Sequence, residues 1–107
     1  MATSALGARS GQIFITNIDD SDSPYTVPST PTGHNEISCD TDGGPIAVTL
    51  PAGENGKSFC RIHNTGTSGN AVTLTGNGGE QVVAESSQAV YDGETLFLIF
   101  TDNNDWW

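Results

Sequence analysis

The chain has 107 residues, three basic and thirteen acidic side chains, a formal net charge of −10 and an apolar fraction of 35%. That length suits one domain with a single modest core. The charge argues against nucleic acid and anionic membrane surfaces as partners, since Arg9, Lys57 and Arg61 are too few to displace phosphate counterions. No apolar run reaches the roughly eighteen residues of a membrane-spanning helix.

Residues 1–11 are small, polar and glycine-spaced, with Leu6 and Arg9 as the large side chains. The stretch has neither the basic start nor the apolar centre of a secretory signal. Such a composition cannot order itself. It is therefore expected to form an arm that gains its order on another chain, with Leu6 as apolar anchor and Arg9 as a charge-directed contact.

The pattern changes at Gln12. Ile13, Phe14, Ile15 and Ile18 predict a first strand. Asp19 to Pro31 reads as a loop with a short edge strand at Tyr25 and Val27. Ile37 and Cys39 alternate before the turn Asp42-Gly43-Gly44-Pro45, and Ile46, Val48 and Leu50 share one face of the next strand. After the turn at residues 52–56, Ser58, Cys60 and Ile62 point one way, while Phe59, Arg61 and His63 point the other. Val72 and Leu74 mark a further strand, followed by Gly76-Asn77-Gly78-Gly79 as a tight hairpin turn. Gln81–Ala84 and Gln88–Tyr91 give two short strands. Thr95 to Phe100 is apolar on both faces and reads as a central, doubly covered strand.

Turns every eight to twelve residues, without helical periodicity, predict an all-β fold: an antiparallel β-sandwich or jelly roll over residues 12–107, preceded by the arm 1–11. The core is thin for its turn content, so part of the apolar burial is expected from neighbouring subunits.

Candidate chemistry is sparse. Gly53-Glu54-Asn55-Gly56-Lys57-Ser58 imitates a phosphate loop, but Pro51 replaces its first glycine and a strand follows instead of a helix. His34 and His63 have no serine elbow to activate. Asp19, Asp20, Asp22, Asp40 and Asp42 are calcium-capable oxygens without EF-hand spacing. A carboxylate pair of the glycosidase kind is not excluded by spacing, yet so small a domain offers little cleft for a sugar chain. Cys39 and Cys60 fall in strands and read as reduced, structural thiols, which points to synthesis in the cytoplasm. The expectation is a non-enzymatic protein without cofactor or metal. Trp106 and Trp107 read as contact anchors, one in the core and one at a subunit seam. With Leu6, Arg9, Ile13, Phe14, Phe59 and Arg61 they form the expected partner-contact set.

Four segments carry a resemblance: Val48-Thr49-Leu50-Pro51; Gly56 to Asn64 (GKSFCRIHN); Asn70 to Gly76 (NAVTLTG); and Leu96 to Asp102 (LFLIFTD) ahead of Trp106. Over residues 37–107 the chain resembles a β module of tailed-phage appendages, found in tail fibres and in head decoration proteins and often trimeric. Only a short arm and one strand precede the module from Met1, which favours a free-standing decoration, or cement, protein. The resemblance implies a homotrimer on the outer surface of the virion, bound to the major capsid protein. The other reading it allows is a receptor- or glycan-binding module of a fibre or spike, with Tyr25, Phe59, Trp106 and Trp107 stacking on sugars.

Overall fold

The computed structural model describes residues 14–29, 34–54, 58–101 and 104–107. Its strands are β1 (Phe14–Asp19), β2 (Tyr25–Thr26), β3 (His34–Asp40), β4 (Ile46–Thr49), β5 (Phe59–Asn64), β6 (Val72–Thr75), β7 (Gln81–Val82), β8 (Ser87–Val90), β9 (Thr95–Thr101) and β10 (Asp105–Trp106), with one 3-10 turn at Asp20–Asp22. No α-helix occurs among the described residues. The fold is all-β, as expected. The expected arm, residues 1–11, and Ile13 lie outside the described residues.

The strands make a six-stranded sheet, ordered β1-β3-β5-β9-β10-β7, and a four-stranded sheet, ordered β2-β4-β6-β8. Pairing within them corrects the expected antiparallel sandwich or jelly roll. β1, β3 and β5 run parallel, as do β2, β4 and β6. The chain visits the two sheets alternately, so β1–β2, β3–β4 and β5–β6 stack as three coils of a short solenoid. Antiparallel pairs join β8 to β6 and β9 to β5 at the last coil, and β10 to β9 beyond it. The turns after β3 and β5 carry the chain around the edge of the core to the opposite sheet. A hairpin would have returned it along the same one.

Alternation explains which side chains fill the space between the sheets. β3 buries Asn35, Ile37 and Cys39, and β5 buries Cys60, Ile62 and Asn64. From the other sheet come Ile46 and Val48 of β4, with Val72 and Leu74 of β6. The parallel register sets like beside like: Ile37 opposes Ile62, and Ile46 opposes Val72. Branched side chains in such ladders interlock on the pleated surface.

Trp106 closes one end of this core. It is fully buried, and its ring meets Phe100 edge-on at 5.4 Å. Its indole N–H donates to Glu80 Oε1 at 3.4 Å, and the Glu80 carboxylate also accepts the Gly53 N–H at 3.2 Å. A Cβ at Gly53 would fall 2.1 Å from the Phe100 ring, so glycine is required where that loop crosses the aromatic pair. Of the two tryptophans, both placed in the partner-contact set, one was expected in the core, and Trp106 is that one. Its burial in the chain's own core removes it from any surface.

β9 departs from expectation in a related way. It is central, lying between β5 and β10, but it is covered on one face only. Leu98 and Phe100 are buried, whereas Phe97 is 59% exposed and Ile99 38%. The Gly76–Gly79 segment also fails to form a hairpin. β6 and β7 belong to different sheets, and the antiparallel partner of β6 is β8.

One polar side chain ties the corners of the stack together. Asn64 is fully buried, and its amide makes four hydrogen bonds. Nδ2 donates to the carbonyls of Asn70 and Val90, both at 3.0 Å. Oδ1 accepts from Thr41 Oγ1 at 2.8 Å and from the Gly66 N–H at 2.9 Å. Those two donors and two acceptors are everything an amide offers. A Cβ at Gly66 would lie 2.0 Å from Thr41 Oγ1, so the turn closes on the network only with glycine. Replacing Asn64 with Leu strands several buried polar groups. Asn64→Leu is expected to cost about 3 kcal/mol in urea unfolding; a loss under about 1 kcal/mol would show that water satisfies the corner instead.

Candidate functional site

The outer face of the six-stranded sheet is the strongest candidate. Its side chains are the outward half of the alternation that builds the core. In register across β1, β3, β5 and β9 run Ile15, Glu36, Arg61 and Phe97. A neighbouring row holds Asn17, Ser38, His63 and Thr95. On the other side, His34, Phe59 and Ile99 continue to Trp107, whose backbone exchanges two hydrogen bonds with Ile99 at 2.9 and 2.7 Å. Ile15, Phe97 and Trp107 are each more than half exposed.

The aromatic groups are arranged rather than scattered. The Phe59 and Phe97 rings lie 6.2 Å apart at an interplanar angle of 29°, and His34 meets Phe59 edge-on at 4.4 Å. Beside them Arg61 Nη2 donates to Glu36 Oε1 at 2.6 Å. These five side chains, with Asn35, line a shallow groove of about 270 Å³. The ion pair is partly solvated and contributes at most about 1 kcal/mol to stability. What the groove offers chemically is two phenyl faces and an imidazole beside one guanidinium and one carboxylate.

The contact set expected from the sequence divides accordingly. Phe59, Arg61 and Trp107 come together on this face. Trp106 is in the core, Leu6, Arg9 and Ile13 lie outside the described residues, and Phe14 is described by its backbone in β1. Sequence reasoning missed Phe97 and Ile99, because a strand apolar on both faces reads as doubly covered. Ile15 was assigned to the first strand without being recognised as exposed.

The other candidates have local partners. His63 Nδ1 shares a short hydrogen bond with Thr95 Oγ1, within the outer face. Asp19 caps the 3-10 turn through Ser21, and Asp42 accepts the Thr67 N–H at 2.7 Å and the Ser68 hydroxyl at 3.0 Å. Among the described residues, no group of three or more His, Cys, Asp or Glu side chains is gathered around a cation position. Cys39 and Cys60 are free and buried, and burial pushes both thiols up to about 12.

No protein-family model matches the chain, and no curated protein or solved structure is significantly similar to it.

Two measurements check these assignments. At pH 8 neither thiol should react with an aromatic disulfide reagent until the protein is unfolded, because the thiolate is suppressed and enclosed; rapid labelling of the native protein would contradict the packing. Hydrogen bonds from Thr67 and Ser68 hold Asp42 below its ordinary 3.8, and those from Ser21 do the same for Asp19. A carboxyl depressed in the folded state contributes stability that is complete above 3.8 and fades as pH falls through the lower folded value. The melting temperature should therefore drop on acidification below 3.8, and Asp42→Asn should flatten that acid limb; an unchanged limb would mean that other carboxylates set it.

Proposed function

We propose that this chain is a structural contact protein of a phage particle: a head decoration protein on the outer surface of the capsid, without enzymatic activity. It binds the major capsid protein, self-associates as a trimer and adds stability to the shell. One observation carries this reading. A strongly acidic chain displays an apolar, aromatic face on rigid strands, and exposed patches of that kind mark interaction surfaces. The acidic remainder keeps many copies soluble and apart until they settle on a preassembled surface. The leader, with Leu6, Arg9 and no acidic residue, is the segment assigned to the shell. Each copy adds a modest free energy that the closed particle sums.

The glycan-binding reading of a fibre or spike is supported by the Phe59–Phe97 rings beside the Arg61–Glu36 pair, an arrangement suited to a pyranose face and its hydroxyls. Copy number separates the two: decoration requires hundreds per particle, adhesion a handful at the tail. For the decoration reading, deletion of residues 1–11 is expected to abolish binding to empty shells while leaving a β domain intact by circular dichroism. A truncated protein that still saturates shells overturns the assignment of the leader.

A further inference from the structure

We infer that the outer face of the six-stranded sheet is covered by the same face of a second copy of this chain. The inference rests on reading the face as a contact surface, and it goes further by naming the occupant; like face on like face is a two-fold contact that closes as a pair, so it is separate from the three-fold contact of the decoration reading.

Charge selects that occupant. Like-charged molecules as acidic as this one repel at most approaches. The three outward rows across β1, β3, β5 and β9 contain one acid, Glu36, already neutralised by Arg61. Two copies can meet here without opposing unpaired acidic side chains. Asp19 and Asp40, paired in the next outward row, form an acidic rim that keeps the contact to the apolar rows. Among the described residues the other acids sit in turns, at sheet corners or on other elements.

Composition fits the same occupant. The face offers Phe59, Phe97, Ile99 and Trp107 around one Arg–Glu pair, and aromatics with arginine are what protein contacts concentrate at their centres. Arg61 and Glu36 are adjacent in register, so in a reciprocal contact each guanidinium can exchange its own carboxylate for the neighbour's without leaving a charge unpaired. The groove beside them is bounded by rings and can receive a ring of the other copy.

The test uses the full chain alone, without shells, so its failure is separate from failure of the decoration reading. Sedimentation of the 11.2 kDa chain is expected to show a concentration-dependent multimer. Phe97→Glu should weaken association at least about tenfold, while Ala89→Glu, the same charge added at an exposed site in the other sheet, should not. Arg61→Glu and Glu36→Arg should each weaken association, and mixing the two variants should restore it. A wild-type chain that stays monomeric at about 1 mM overturns the inference. So does Phe97→Glu associating like the wild type, or a mixture no stronger than either variant alone. Circular dichroism of each variant checks that the loss is not unfolding, and exposed Phe97 and Arg61 are sites where the fold tolerates change.

Discussion

Asn64 is the residue on which the rest of the structure depends. Stacking coils in parallel requires every turn at a given corner to follow the same path, and the turn backbones then need partners inside the stack. The Asn64 amide supplies them, joining the Thr41 hydroxyl, the Gly66 N–H and the carbonyls of Asn70 and Val90. Asn70 reinforces the corner by donating to the Thr41 carbonyl at 2.8 Å. A fully satisfied buried amide specifies one register where apolar packing alone would accept several. That register in turn fixes which side chains face outward, and hence the aromatic face.

The outer face is thus a consequence of stacking. Parallel coils place equivalent positions side by side, so outward residues fall into rows across the strands instead of being dispersed around a twisted barrel. β9 then adds an antiparallel strand whose outward residues, Phe97 and Ile99, extend those rows. The C-terminal Trp107 finishes one of them through its paired backbone hydrogen bonds with Ile99. Core and contact surface are two sides of one alternation, and most of the described acidic groups lie in turns or at strand ends.

Much of the alternation was legible in the sequence. Cys60 and Ile62 read as opposite in facing to Phe59, Arg61 and His63, and they are. Strand direction was not legible, because a period of two is the same for parallel and antiparallel pairing. Glycine-bearing segments such as 42–45 and 76–79 look like hairpin turns, yet here they lead the chain from one sheet to the other. Asn64 was overlooked because it ends a strand as an ordinary polar residue. Its signal was positional: it continues the inward series Cys60, Ile62, with Gly66 and Asn70 following. Of the contact surface, Phe59, Arg61 and Trp107 were found from their residue types, while Phe97 and Ile99 were hidden by the apolarity of both faces of β9.

Nuclear Overhauser contacts between backbone hydrogens of the labelled protein test the coil stack most directly. Parallel stacking places Ile37 opposite Ile62 and Ile46 opposite Val72 with no close Hα–Hα pairs among β1, β3 and β5, and confines such pairs to the antiparallel neighbours, β5 with β9 among them. Close Hα–Hα pairs between β3 and β5 would contradict the stack, and with it the origin of the outer face.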